Sequence, residues 1–528
     1  VCFNRTLLIV LRQTITLNYL MAIVSVTPDR YSYLDFKSFF TKPVKVRLSR
    51  PVQKLINQSH ERLKVLLSKG IRIYGVNTGF GNLSKIPISR KDQIQLQLNL
   101  VRSHAVGVGK PLDKGLTRLV LFLKLLTFAK GISGVRLEVA RQVSRFLNHD
   151  ILPVIPRKGS VGASGDLAPL AHVALSLIGE GEALFRDRVV PTLLALKEVG
   201  IAPLSLQPKE GLSLINGTQV STALAVKALL SADTLLKTAD LAGALSVEAT
   251  LSSRNAFIAA IHQLKCHPGQ QQSARNIWKI LEGSEIVLSH KDCNRVQDPY
   301  SIRCIPHVHG SSRDVFKAAR VMIDNEINSV SDNPLIMDTG VVYSSGHFHA
   351  EPVAQALDML AIAMSEIGAI SERRIHLFMK GIDDKIPPFI AHNPGLESGY
   401  MVAQVTAAAL ASENKSLSHP ASVDSIPTSA GHEDFVSMAP WAGRKALRIM
   451  ENVTFILAIE ILIAVNSILA YHKRLKPGHG TRMIIDCLKK DVHFTQGDRP
   501  LSKDIGIVSE MIKNGKIVNT VQKYLELE

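Results

Sequence analysis

"FILAIEILIAVNSILAY", running from Phe455 to Tyr471, decides what kind of molecule this is. It is either a membrane span or the buried spine of a helical protein. A span needs about 20 predominantly apolar residues, and this run is interrupted by Glu460 and Asn466. A charge in hydrocarbon is costly, whereas a buried protein helix can pair one with a neighbour. No hydrophobic companion segment is apparent. The stretch therefore reads as a helix from about Ala442 to Tyr471, inside a bundle or subunit interface, with no membrane span expected.

The surrounding sequence supports a mostly α fold. "RPVQKLINQSHERLKVLLSKG" has Ser49 as cap, Pro51 in its first turn and Gly70 as its stop. Its Leu55, Ile56, Leu63, Leu66 and Leu67 recur at helical spacing. Further helices are expected over Gln219–Leu251, over Ala350–Lys380 with Pro352 in the first turn, and from about Tyr400 to Leu417. Strand signals are sparse; "IRIYG" (71–75) and "VVY" (341–343) are the best.

The 528 residues are 46% hydrophobic and 20% charged, with 5% aromatic, which is a globular composition. A net charge of +17 favours acidic partners. The basic residues are scattered and lack interleaved aromatics, so nucleic-acid binding is not expected. Five cysteines (Cys2, Cys266, Cys293, Cys304, Cys487) show no CxxC spacing and imply reduced thiols in a cytoplasmic protein. "LLIVL" (Leu7–Leu11) is too short for a signal core, and residues 1–20 read as a non-essential extension. Residues 21–215 form a smaller, loop-rich N-terminal region. Residues 216–528 form the long-helix bundle and a C-terminal helical region.

Chemistry belongs in the polar loops that these helices carry. "GSVGASGDLAPLAH" (Gly159–His172) crowds small residues around Ser164. Its glycine spacing matches neither GxGxxG nor GxxxxGK[ST], which argues against nucleotide binding. It is not GxSxG either, and His172 reads as a capping or core histidine rather than a base. "HVHG" (His307, His309) and "HFHAE" (His347, His349, Glu351) lack HExxH or cysteine partners, so no metal site is expected. One unusual option remains. Ala163 and Gly165 leave the backbone free to fold back, so that the Gly165 nitrogen could attack the Ala163 carbonyl. Loss of water would then leave a methylidene electrophile. Spacing alone does not separate this from an ordinary glycine-rich loop.

The stretch resembles the signature of the aromatic amino acid ammonia-lyases. "YGVNTGFG", "NLVRSHAVGVG", "EGLSLINGTQ", "VQDPYSIRC", "SDNPL", "FHAEPVAQALD" and "ASENKSLSHPASVDSIPTSA" follow in that family's order, covering the chain from about residue 45 onward. The resemblance implies a fumarase/aspartase-like long-helix bundle and a homotetramer with sites built from several subunits. It also implies that Ala163, Ser164 and Gly165 close into 4-methylidene-imidazol-5-one (MIO), with no dissociable cofactor and no metal.

Site roles follow from the same resemblance. Tyr74 corresponds to the base that removes the β-proton. A phenol ordinarily titrates near 10, and lowering that by two units takes about 2.7 kcal/mol, from a nearby cation or helix N-termini. Arg303 corresponds to the clamp on the substrate carboxylate, a task suited to a planar guanidinium. Gln297, Tyr300, Asn216 and Phe348 occupy substrate-site positions. Ser103-His104 is the pair carried by members acting on histidine, where phenylalanine lyases carry Phe-Leu and tyrosine lyases His-Leu. His104 and Glu413 would bond the two imidazole nitrogens. The implied reaction is L-histidine to trans-urocanate and ammonia. The alternatives are a tyrosine or phenylalanine lyase or aminomutase of the same chemistry, and an inactive helical scaffold or basic binding protein. His307, His347, Gly431, His432 and Phe435 depart from the family pattern.

Overall fold

The computed structural model describes residues 23–293, 295–494 and 497–528. The extension at 1–20, the Leu7–Leu11 run and Cys2 lie outside the described residues. The chain divides into two compact units. The first comprises the described residues up to Ala223, with Asn325–Ala350 and Ile426–Ser437. The second comprises Leu224–Asp324, Glu351–Ser425 and Met438–Glu528.

In the first unit β1 (Ile23–Val26) pairs in parallel with β2 (Lys45–Leu48). Helix α1 (Arg50–Ser68) begins where the capping residues place it: the Ser49 hydroxyl accepts from the Val52 amide and Pro51 sits in the first turn. Ile56, Leu63 and Leu66 are buried as their spacing requires, with Leu55 and Leu67 half-buried. Next come α2 (Gln93–His104), β3 (Val108–Pro111), α3 (Lys114–Ala129) and α4 (Leu137–Asn148). β4 (Leu152–Pro153) precedes β5 (Pro156–Lys158), which pairs antiparallel with β3. Helix α5 (Leu167–Leu177) follows the small-residue loop, then the hairpin β6 (Glu182–Phe185) and β7 (Arg188–Pro191), whose β6 also pairs with β4. α6 (Glu210–Ile215) leads into α7 (Gln219–Ala249), and β8 (Leu335–Ile336) pairs with β9 (Val342–Tyr343). Helices α2, α5 and α6 pack on one another. This packing gathers His104, the small-residue loop and the turn at Asn216.

"IRIYG" is not a strand. The Asn77 side chain accepts from the Ile73 amide and donates to the Ile71 carbonyl, so it satisfies backbone groups a sheet partner would otherwise take. Ile73 and Val76 instead pack against Leu63, Leu66 and Ile336. Most of the observed strands gave no sequence signal because they are short and flank turns; of "VVY", Val342 and Tyr343 are in β9.

The second unit is the helical bundle. It holds the remainder of α7, most of α8 (Ile305–Ile327), α9 (Glu351–Met379), α10 (Met401–Leu417), α11 (Ala439–Tyr471) and α12 (Ser502–Lys513). α9 and α11 pack along their lengths, α10 lies against both, and α12 against α11. Both α9 and α11 are long and apolar enough to cross a membrane by composition, so α9 is the companion the sequence reading did not find. In α11, 83% of the most apolar window is buried, which is the position of a bundle spine. Each fully buried leucine or isoleucine there contributes about 1.5–3 kcal/mol. Glu460, the interruption in the run, is buried with both carboxylate oxygens bonded: to Arg374, Ser246 and Ser371.

Candidate active site

The loop from Gly159 to Asp166 is held against the turn at Gly217. Gly165 pairs with Gly217 as an isolated parallel bridge, and the Asp166 amide donates to the Gly217 carbonyl at 2.7 Å. Gly165 has φ +77°, and a Cβ there would lie 2.3 Å from the Gly217 oxygen, so no side chain fits. The Asp166 carboxylate accepts from the Val220 and Ser221 amides and the Ser221 hydroxyl, satisfying amides at the start of α7. Burial pushes this carboxyl up to about 6, against the pull of those hydrogen bonds and of Lys124.

Ser164 meets two groups. The Asn216 amide donates to its carbonyl at 3.3 Å, and its hydroxyl donates to Glu433 Oε1 at 2.7 Å. Glu433 Oε2 accepts from the Thr428 and Ser429 hydroxyls. Burial would raise its carboxyl, but these hydroxyl donors outweigh it and hold Glu433 below the usual carboxylate range. Glu433 was not among the residues singled out from the sequence. The only trace it left was an acidic pair, Glu433-Asp434, closing a Ser/Thr-rich loop, and its partner lies 269 positions away.

Tyr74 accepts from the Gly81 amide at 2.8 Å, and Phe80 links it to His104, with ring centroids 5.4 Å apart on each side. Burial raises the Tyr74 phenol above its ordinary value and the Glu433 charge adds to this; only the Gly81 amide acts downward. The lowering expected for a base is thus absent from this arrangement of the chain. His104 Nδ1 lies 2.8 Å from the Leu100 carbonyl and 3.0 Å from the Ser103 hydroxyl. A carbonyl only accepts, so Nδ1 carries the proton and Nε2 presents a lone pair. Burial lowers the His104 pKa, opposed by the Leu100 bond and the Glu433 charge. His172 Nε2 accepts from the Gly107 amide, a structural use of the histidine. Phe348 is half-buried, and beside it the His349 ring stacks on Phe435 at 6.1 Å. His347 bonds Ser345 and His432 is exposed.

The second unit holds the remaining expected residues. Arg295 donates to the Thr250 and Leu251 carbonyls and to Asp298, whose other oxygen accepts from the Ser253 amide. These bonds pin the loop that carries Gln297 and leads into the short helix Tyr300–Arg303. Gln297 and Tyr300 are exposed. The Arg303 guanidinium lies 4.6 Å from the Tyr300 ring centre, and its buried Nε has no partner among the described residues. Glu413 is bonded by Arg448 at 2.7 Å and by Asn452. His307 stacks edge-on to His262. Among the described residues no group of three or more His, Cys, Asp or Glu is arranged to hold a metal ion.

The residues present fit a ring at 163–165. Gly165 is confined to a course that excludes a side chain, and the Ser164 hydroxyl is held by a carboxylate. Asn216 bonds the Ser164 carbonyl, and its own buried Oδ1 has no partner among the described residues.

The chain is similar to known proteins over most of its length. The family model for aromatic amino acid lyases matches residues 32–490. A histidine ammonia-lyase of Gloeobacter violaceus is 47% identical over 481 residues, covering 91% of this chain and 93% of that protein. Among solved structures, the histidine ammonia-lyase of Trypanosoma cruzi superposes with a TM-score of 0.88 at 36% identity, covering 96% of each chain. The tyrosine aminomutase of Streptomyces globisporus gives 0.91 at 32% identity, covering 96% of this chain and 100% of that one. With its signature loop pressed against the Asn216-Gly217 turn and a family match spanning most of its length, the chain belongs to the aromatic amino acid lyases.

Proposed function

We propose that the protein eliminates ammonia from L-histidine to give trans-urocanate, using an MIO group closed from Ala163, Ser164 and Gly165. The observation that carries this reading is the set of contacts in the first unit: Asn216 and Glu433 bond Ser164, and Phe80 joins Tyr74 to His104. The histidine ammonia-lyase relatives support the choice of substrate. When formed, the ring supplies an electrophilic methylidene that activates the substrate for losing its amine.

The chain's own groups do the rest. Arg303 grips the substrate carboxylate, with its guanidinium face already set on Tyr300. Neutral His104 accepts the imidazole N–H at Nε2. Since Glu413 is engaged by Arg448 and Asn452, the second ring contact falls to Glu433, the carboxylate beside Ser164. Tyr74 removes the β-proton. The Gly81 amide stabilises its phenolate, and the remaining stabilisation must come from a positive charge brought to the site, of which the substrate's ammonium is one. Gln297, Tyr300 and Phe348 enclose the substrate.

We also take the protein to be a cytoplasmic homotetramer. Free thiols at Cys266, Cys293, Cys304 and Cys487 suit a reducing compartment. Exposed Val402 and Val405 on α10 suit a covered face.

Incubation with L-histidine, L-tyrosine and L-phenylalanine, followed by ultraviolet absorbance, tests the substrate. Urocanate is expected; cinnamate or coumarate without urocanate would reject histidine. The likeness to a tyrosine aminomutase favours one second reading, in which the amine returns to the β-carbon. Chromatography for a β-amino acid product distinguishes it. An intact mass without the loss of two waters would leave an inactive scaffold.

A further inference from the structure

Lys124 is buried in α3, 1% exposed, and none of the catalytic roles above uses it. Its ammonium donates to the carbonyls of Ser213 and Asn216, at 3.1 and 2.7 Å. Both carbonyls belong to the end of α6, where the helix leaves acceptors without intrahelical donors and a cation is favoured. Asn216 is also the residue whose side chain bonds the Ser164 carbonyl, and Gly217 is the one that pairs with Gly165 and Asp166. A single amino group thus fastens, from below, the turn that shapes the small-residue loop from above.

We propose that Lys124 is a positioning residue for ring closure at 163–165: it fixes the Ser213–Gly217 turn, and the turn holds Ser164 and Gly165 in the folded-back course that closure needs. The inference rests on the MIO reading. In that closure the Gly165 nitrogen bonds the Ala163 carbonyl carbon. The Ala163 oxygen leaves as water with the Gly165 and Ser164 amide hydrogens, forming a double bond from the Ala163 carbon to the Ser164 nitrogen. The Ser164 hydroxyl leaves as a second water with its α-hydrogen, forming the methylidene. No oxidant or reductant is consumed. The Ser164 carbonyl survives in the ring, and it is the oxygen that Asn216 bonds.

The attack is intramolecular, so its rate depends on holding nitrogen and carbon close, and a misplacement of about 1 Å costs about 100-fold. Burial brings the Lys124 ammonium down to about 7, opposed by the charges of Asp332 and Asp166 and assisted by that of Lys209. Lys209 itself is committed to Asp332 and the Ser213 hydroxyl, so it grips the turn by a side chain and not by the Asn216 backbone.

The test is intact mass of freshly synthesised full-length chain against time, with circular dichroism and thermal unfolding alongside. Wild type should become lighter by two waters; if it does not, the MIO reading fails and this inference with it. Lys124→Met should fold with wild-type helicity yet lose the two waters about 100-fold more slowly. Lys124→Arg, which can still donate to both carbonyls, should recover most of the wild-type rate. A folded Lys124→Met chain that dehydrates as fast as wild type overturns the proposal. If the methionine variant does not fold, Lys124→Arg decides: folded but undehydrated chain, or failure to fold as well, overturns it, and dehydration near the wild-type rate upholds it.

Discussion

In the second unit Asp240 and Glu460 are buried against arginines. Asp240 accepts from Arg313, His309, Ser273 and Asn276, and Glu460 from Arg374, Ser246 and Ser371. In the first unit Asp166 and Lys124 are equally buried, but their hydrogen bonds run to backbone amides, a hydroxyl and backbone carbonyls. Burial acts to raise the carboxyls of Asp240 and Asp166. At Asp240 the Arg313 charge and the His309 and Ser273 bonds overcome it, holding the group well below the carboxylate range. At Asp166 they do not, and the group rises to about 6 while Lys124 falls to about 7. Where a buried charge meets its opposite it becomes structure. Where its hydrogen bonds run to dipoles, as at Asp166 and Lys124, burial outweighs the pull of nearby opposite charge, and here that occurs beside the loop at 163–165.

Substitutions can break the contrast between the two units. Tyr74→Phe in the first should cut turnover about 10²–10⁴-fold, the usual contribution of a proton-transfer group, while leaving the unfolding temperature near wild type. An equal loss of stability would mean that Tyr74 only packs. Arg374→Met in the second should do the reverse. It strands Glu460 in the core and should cost about 3–5 kcal/mol in denaturant unfolding. A variant as stable as wild type would show that Glu460 does not need its partner.

The pH dependence of stability should have opposite signs in the two units. Asp166 is raised from near 4 to about 6. Its contribution is therefore full below about 4 and lost as pH rises through 6, by about 3 kcal/mol. Relative to Asp166→Asn, wild type should lose stability over that window. Asp240 is depressed, so its contribution is full above about 4 and lost as pH falls through its folded value. Relative to Asp240→Asn, wild type should lose stability on acidification. Parallel profiles for the two pairs would erase the distinction. The smallest effect expected is at specificity: His104→Leu should lower kcat/KM for L-histidine by about 1–3 kcal/mol, or roughly 5- to 150-fold. An unchanged value would remove His104 from the substrate ring.

Long-helix architecture was legible because local chemistry writes it. Ser49, Pro51 and Gly70 bracket α1 within a few positions, and α11 carries its own apolar pattern. The small-residue loop was legible for the same reason, since Ala163-Ser164-Gly165 is contiguous. The missed features depend on distant partners. Asn77 turns an apparent strand into a loop by folding back onto Ile71 and Ile73. The β6–β7 hairpin turns on Arg186 and Asp187, both at positive φ without a glycine or asparagine to announce it. Glu433 gains meaning only from Ser164, and the rise of the Tyr74 phenol depends on how deeply it sits and on that same carboxylate. No window of neighbouring residues contains those facts.

The contact between Gly165 and Gly217 also orders events in time. A ribosome emits residue 165 well before residue 217, so a nascent chain halted between them has nothing to press its serine into shape. On the proposed MIO reading, ripening of the electrophile must wait for the downstream turn to emerge and dock. A fragment ending short of residue 217 would remain inert however long it is left.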